Sequence, residues 1–308
     1  MEMLKVNDVE KKYKLKNKDT LMAINGVSFN IKKGSCVGVV GESGCGKTTL
    51  GRMIVGIEPY SNGNIEFKGK DVRKIKRKDP LRKELQMIFQ DSLSAVNRRI
   101  SVKEILAEPI NNFYKISKEE LNKKVDDLLL KVGIDSNDKN KYPNQFSGGQ
   151  LQRVCIARAL ASNPSLIVLD EPLSSLDVSI QAQVLNLLSD LKSELELTYM
   201  FISHDLEAVY YLSDSIIIMY RGKIMEQIDD IELFHDMKHP YTIKLLSSSY
   251  EYRSKIANKG IEMINYEFED VGCPYFNRCK SRNNKCKEVI PTLREIGDGH
   301  KIACHMIK

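Results

Sequence analysis

Gly41-Glu42-Ser43-Gly44-Cys45-Gly46-Lys47-Thr48-Thr49 is the stretch on which the fold turns. An apolar run, Cys36-Val37-Gly38-Val39-Val40, precedes it and reads as a buried strand. Leu50-Gly51-Arg52-Met53-Ile54-Val55 follows and reads as the first turns of a helix. A strand, a glycine-rich turn closing in Gly-Lys-Thr, and a helix together make a phosphate cradle. The glycines let backbone N–H groups approach phosphate oxygens, and the helix N-terminus adds a favourable dipole. Lys47 has the reach for the β- and γ-phosphates, and the Thr48 hydroxyl is a ligand for Mg²⁺. The stretch points to ATP or GTP; the bland alternative is a glycine-rich turn in some other α/β protein.

Working outward, residues 1 to 31 alternate apolar and polar in two stretches, Leu4–Val9 and Met22–Phe29, which predicts antiparallel strands joined by a lysine-rich loop. Tyr13 lies between them as an ordinary strand-end aromatic. After the cradle helix come a turn at Ser61–Asn64 and short strands at Ile65–Phe67 and Leu85–Phe89, the latter ending in Gln90-Asp91. Residues 101 to 132 read as helical, with capping-box spacing at Ser101/Glu104 and Ser117/Glu120. Leu121, Val125, Leu128, Leu129 and Val132 fall on one helical face.

Gln145-Phe146-Ser147-Gly148-Gly149-Gln150-Leu151-Gln152-Arg153 opens another helix. Ser-Gly-Gly at such a position offers a hydroxyl, free N–H groups and a dipole, which suit a phosphate but equally an ordinary helix cap. Ser165–Asp170 is a hydrophobic strand closing in Asp170-Glu171, where a phosphate-binding protein needs a carboxylate for Mg²⁺. Ser174-Ser175-Leu176-Asp177 follows, with a helix from near Ser179. Tyr199–Ser203 is one more strand, ending in His204. Strand ends of a parallel sheet converge at one edge, so this histidine joins the candidate site.

This ordered set resembles the ATP-binding subunit of ABC transporters over residues 1 to about 235, with a helical part at about 91–160. The resemblance implies an α/β fold: a P-loop NTPase core with a RecA-like parallel sheet, an antiparallel β subdomain, a helical subdomain, and here a small cysteine-rich C-terminal extension at 236–308. It implies that Tyr13 stacks on adenine, and that Gly41, Ser43, Gly44, Cys45, Gly46, Lys47, Thr48 and Thr49 hold the phosphates. It places Thr48, Gln90 and Asp170 around Mg²⁺, Glu171 as general base, and His204 at the γ-phosphate. Ser147, Gly148, Gly149 and Gln150, with Asp177, would serve a nucleotide shared with a partner in a head-to-tail dimer. Phe146 stands where the family usually has Leu, and Ser92 where importer relatives often have Pro; neither removes a catalytic group.

His239-Pro240-Tyr241 and the cysteine-rich tail resemble the oligopeptide and dipeptide importers, with nickel importers as close relatives. This implies ATP hydrolysis driving uptake, a second ATPase subunit in preference to an identical one, two membrane-spanning permease subunits, an external substrate-binding protein, and a place on the cytoplasmic face of the membrane. Cys273, Cys279, Cys286 and Cys304 leave gaps of five, six and seventeen residues. Four thiolates suit an iron–sulfur cluster or a tetrahedral zinc site, and unligated thiols are the third option. The resemblance suggests [4Fe–4S]. His300 and His305 are spare candidate ligands, with exposed tail residues as the favoured reading. A tail this short has too small a core to fold comfortably alone, so a metal would add stability.

Composition sets limits. The chain has 308 residues, 42% hydrophobic content and a formal net charge of +6, and no apolar run is long enough to span a bilayer. Its first residues, Met1 to Asp8, show no secretory h-region, which predicts a chain that stays in the cytosol. The basic run from Lys68 to Lys83 reads as a solvated face; with no interleaved aromatics it predicts no nucleic-acid surface. A non-transport ABC ATPase working on ribosomes or DNA is the alternative of another class. A single cassette and a short insertion argue against it, and the cysteine tail argues against an exporter.

Overall fold

The computed structural model describes residues 1–14, 20–247 and 271–307. The middle of the lysine-rich connection, 15–19, lies outside the described residues.

Alternation forms the first layer. Strands β1 (Glu2–Lys14) and β2 (Thr20–Lys32) pair antiparallel, with Leu4 opposite Ile31, Val6 opposite Phe29 and Val9 opposite Val27, all buried. Strand β3 (Cys36–Val40) and helix α1 (Lys47–Ile54) follow, then β4 (Asn62–Phe67) and β5 (Lys70–Asp71), which complete a four-stranded sheet in the order β2-β1-β4-β5.

The second sheet is the core. Its strands are β3, β6 (Leu85–Ile88), β7 (Leu166–Asp170), β8 (Thr198–Ser203), β9 (Ser215–Tyr220), β10 (Lys223–Ile228), β11 (Arg294–Gly297) and β12 (His300–Ile302). Their order is β11-β12-β10-β9-β3-β8-β7-β6, and the run from β9 to β6 is parallel. Every residue of β3, β7 and β8 is buried, the signature of strands covered on both faces.

Between β6 and β7 lies a helical block of α2 (Val102–Phe113), α3 (Lys118–Lys131) and α4 (Gly148–Leu160). Both capping boxes form where the spacing predicts them, at Ser101/Glu104 and Ser117/Glu120. The predicted stripe of α3 turns inward: Val125, Leu128, Leu129 and Val132 are buried and Leu121 packs against them. Helices α5 (Val178–Leu195), α6 (Leu206–Leu212) and α7 (Pro240–Ser247) follow the later strands. The basic run is partly paired locally, Lys68 with Glu84, Lys70 with Asp79 and Arg73 with Asp71, while Val72 and Ile75 anchor it.

The C-terminal extension is stitched to the core rather than standing alone. Strand β12 adds antiparallel to β10, pairing Glu226 with Ile302 and Ile228 with His300. Tyr275 is buried against Tyr220 and Tyr241, with ring centroids 5.3 Å from each. One expectation is corrected here, that His300 is an exposed tail residue. The tail draws its packing from the sheet edge and these rings, and His300 is buried, its Nε2 2.8 Å from Oε1 of the fully buried Glu226. A carboxylate with no exposure needs such partners, and the backbone N–H groups of Lys238 and His239 supply two more, at 2.6 and 3.1 Å.

His239 accepts the Tyr241 N–H at Nδ1, 3.0 Å away, and burial pushes its pKa down from 6.5 to about 4. The folded state thus binds fewer protons than the unfolded state between those values, so stability rises with pH across that window and is fully present above 6.5. On acidification from pH 6.5 the unfolding free energy should fall by at most about 1.4 kcal/mol per pH unit from this group. In His239→Gln the difference between urea midpoints at pH 7 and pH 5 should shrink; an unchanged difference would count against a buried neutral imidazole.

Candidate active site

The loop after β3 is shaped by steric limits. A Cβ on Gly41 would lie 2.2 Å from the Met219 carbonyl oxygen, so only glycine lets the chain turn against β9 there. Gly46 precedes α1 at φ +106°, a left-handed conformation that side chains rarely adopt. No side chain caps α1 and no acid occupies its first turn, which leaves its N–H groups for an anion. Lys47 is buried, and its Nζ donates to the carbonyls of Gly41 at 2.7 Å and Glu42 at 3.0 Å. Cys45 is buried beside it, and burial pushes its thiol pKa up. Ser43 and Gly44 complete the turn.

Thr48 Oγ1 donates to Asp170 Oδ1 at 2.9 Å. Asp170 is 2% exposed, and burial raises its pKa, with the neighbouring Glu171 charge adding to the shift. A hydroxyl and a carboxylate at this separation are the hard oxygen donors that Mg²⁺ takes, with phosphate and water completing its shell. The donor set fits the ion.

The three predicted catalytic side chains meet. Gln90 Nε2 donates to Glu171 Oε2 at 3.1 Å, and His204 Nδ1 lies 3.4 Å from the same oxygen. Gln90 follows β6, Glu171 follows β7 and His204 follows β8, so three parallel strands deliver one cluster. Glu171 takes φ +46° and donates its N–H to Ile202 O at 2.9 Å, a left-handed turn that holds its side chain at this edge.

Tyr13 ends β1 close to α1. Its hydroxyl binds Glu58, Thr49 reaches it as well, and burial raises its pKa. Lys11 Nζ sits 4.7 Å from the Tyr13 ring centroid and 3.0 Å from Glu58. The sequence reading missed both supports; Lys11, two residues before Tyr13 on the same strand face, was the available signal.

The Ser-Gly-Gly-Gln segment lies on the helical block. Ser147 caps α4, its Oγ accepting from Gln150 N at 3.3 Å while Gln150 Oε1 accepts from Ser147 N at 3.0 Å. Ser147, Gly148 and Gln150 are exposed and Gly149 is buried. Asp177 caps α5, accepting from Ile180 N at 3.1 Å, so its carboxylate is engaged within its own chain.

The four tail cysteines are free thiols. Cys273 N donates to Cys286 O at 2.8 Å, and the Cys273 thiol is pushed up to about 11, by burial first and then by Cys286, Cys304 and Cys279. The four therefore share one neighbourhood, although no set of three or more His, Cys, Asp or Glu is arranged as a metal site among the described residues. Also unforeseen is Arg278, beside Cys279, which binds Glu42 of the phosphate loop through both guanidinium nitrogens. A larger cavity of about 860 Å³ lies between β1–β2 and residues 290–293 and contains none of these groups.

Thr48→Val deletes the hydroxyl that joins the helix to Asp170. We expect Mg²⁺-dependent ATP affinity to drop about tenfold or more, with affinity in EDTA changing far less. Equal losses in both media, measured by equilibrium titration, would show that Thr48 serves the phosphates and not the ion.

Residues 24–174 match the family model described as ABC transporter, and residues 225–286 match that of the oligopeptide/dipeptide transporter, C-terminal region. The oligopeptide transport ATP-binding protein AppF of Bacillus subtilis is 42% identical over 99% of this chain and 97% of its own length. The dipeptide transport ATP-binding protein DppF of Escherichia coli is 38% identical over 99% and 94%. Among solved structures, the ATP-binding cassette MJ0796 bound to ADP and Pi superposes with a TM-score of 0.66 at 28% identity, covering 73% of this chain and 97% of that one. CbiO1 of Clostridium perfringens gives 0.67 at 29%, covering 81% and 96%. With its phosphate loop, its acidic strand end and its C-terminal region all matched, the chain belongs to the ABC transporter ATP-binding proteins, in their oligopeptide/dipeptide group.

Proposed function

We propose that this chain is the ATP-hydrolysing subunit of an importer for oligopeptides or dipeptides. The observation that carries the catalytic half is the meeting of Gln90, Glu171 and His204 beside the Thr48–Asp170 pair. The transport half is supported by near full-length similarity to proteins named for oligopeptide and dipeptide transport.

Each role follows from position. Lys47 and the N–H groups of the loop and α1 bind the β- and γ-phosphates. Thr48 and Asp170, with Gln90 nearby, would hold Mg²⁺, which when bound would supply positive charge opposite the phosphates. Glu171 takes a proton from the attacking water, and Gln90 and His204 orient its carboxylate. His204 also reaches the γ-phosphate. Tyr13, steadied by Lys11 and Glu58, offers a ring face to adenine. Exposed Ser147 and Gly148 with Gly149, Gln150 and the Asp177 turn would close over nucleotide held by a second ATPase subunit, preferentially a related chain. Such a reaction depends on placement and excluded water more than on covalent chemistry.

Coupling to permease subunits has a candidate surface. A groove of about 270 Å³ lies between β6 and the helical block, lined by Val55, Met87, Phe89 and Phe113 together with Arg82 and Arg158, and Phe89 leads into Gln90. A short permease segment that pairs apolar side chains with an acidic group fits its chemistry. No described helix is long and apolar enough to cross a membrane. In the proposed importer, attachment to the cytoplasmic face would come through the permease subunits. We further propose that Cys273, Cys279, Cys286 and Cys304 hold a [4Fe–4S] cluster, with zinc as the competing occupant. The four free thiols, which among the described residues are not arranged as a metal site, would have to converge to form its donor set, and a bound group would chiefly stiffen the tail.

Glu171→Gln should cut ATP turnover by about a hundredfold or more while ATP binding persists and ATP-dependent dimerisation increases. Undiminished phosphate release would remove Glu171 from the role of base. Anaerobically purified protein should carry about four irons and four sulfides per chain with broad absorption near 400 nm; one zinc and no iron would make the tail a structural zinc module.

A further inference from the structure

The phosphate loop is held from outside the cassette. Arg278 Nη1 lies 2.6 Å from Glu42 Oε2, and Nη2 lies 2.7 Å from Oε1, a bidentate pair across 236 residues. Planar forks of this kind fix orientation as well as charge. Arg278 Nη1 also donates to the Tyr220 hydroxyl at 3.3 Å, and its guanidinium lies 5.7 Å from the ring centroids of both Tyr220 and Tyr275. The Glu42 backbone is held as well: its N–H donates to the Tyr241 hydroxyl at 2.9 Å, and its carbonyl accepts from Lys47 Nζ at 3.0 Å. Side chain, N–H and carbonyl of this single loop residue thus lead to the extension, to α7 and to the phosphate-binding lysine.

Arg278 belongs to the same short turn as the thiols. It precedes Cys279, the Cys279 N–H donates to Phe276 O at 3.2 Å, and Phe276 N donates to Cys273 O at 2.9 Å. A change in that turn moves the fork directly, with no intervening flexible segment.

We infer that Arg278 is a positioning residue of the nucleotide site, supplied by the cysteine-bearing extension, and that the folded state of the extension sets ATP affinity through the Arg278–Glu42 pair. Arg278 orders Glu42, and Glu42 fixes the carbonyl that holds Lys47 at the mouth of the loop. The inference rests on the phosphate-loop assignment, but not on which metal, if any, the thiols bind.

The test is equilibrium titration of the full chain with a fluorescent ATP analogue, accompanied by KM and kcat for ATP and by a thermal melt. Arg278→Ala should weaken binding and raise KM about fivefold, with a smaller change in kcat. Arg278→Lys, which keeps the charge and loses the fork, should recover only part of this. The double variant Glu42→Gln/Arg278→Ala should bind no more weakly than the worse single variant, because both remove one interaction. Cys279→Ser should weaken binding in the parent and add nothing in the Arg278→Ala background. Unchanged affinity in Arg278→Ala overturns the inference, as do additive losses in either double variant, or a lowered melting temperature with unchanged KM. Lys47→Ala separates the two readings: if it abolishes binding while Arg278→Ala leaves affinity unchanged, the nucleotide site stands and the latch falls; if neither changes affinity, the phosphate-loop assignment itself fails.

Discussion

The parallel register of three buried strands governs everything functional here. Val40 pairs with Ser203, and Asp170 pairs with Ile202, so β3, β7 and β8 end at one level. Gly41, Glu171 and His204 each come next after a strand end, and Gln90 follows β6, whose Ile88 pairs with Leu169. A one-residue slip in any strand would turn a catalytic side chain to the opposite face. Burial on both faces makes such a slip costly, since every residue of β3, β7 and β8 is packed. The apolar core is thereby the device that sets distances of about 3 Å among polar groups.

That edge also concentrates groups with conflicting preferences. Asp170 is buried, beside another carboxylate, and bonded to a single hydroxyl, an arrangement that disfavours its charge until a cation arrives. Lys47 rests on the carbonyls of Gly41 and Glu42, while the Glu42 carboxylate turns to Arg278. Lys47 and Asp170 each keep partners within the protein, and a bound phosphate and cation would exchange those partners for charged ones.

The far edge of the same sheet solves a different problem. Glu226 has no exposure, yet it collects the Lys238 and His239 N–H groups and the His300 ring. Those three donors come from the segment entering α7 and from β12, so one buried carboxylate gathers the elements that lead into the cysteine-bearing turn. Tyr220, Tyr241 and Tyr275 pack on one another, and the Tyr241 hydroxyl carries the contact on to Glu42 of the phosphate loop. The extension is therefore continuous with the cassette, and its chemistry is not insulated from the nucleotide site.

The sequence by itself determined what depends on neighbours a few residues apart. The β1–β2 alternation, the apolar core strands, both capping boxes, the stripe on α3 and the glycine-rich loop all appear where spacing placed them, because strand period, helix period and capping act within one turn or one pleat. The set Lys47, Thr48, Gln90, Asp170, Glu171 and His204 was legible because each member sits at the end of such an element. Tertiary structure alone decided the rest. Nothing local marks Glu58 as the partner of Tyr13, Arg278 as that of Glu42, or His300 as a buried partner of Glu226 rather than an exposed tail residue. These pairs span 45, 236 and 74 residues, and such contacts form only after the sheet has fixed which distant segments become neighbours.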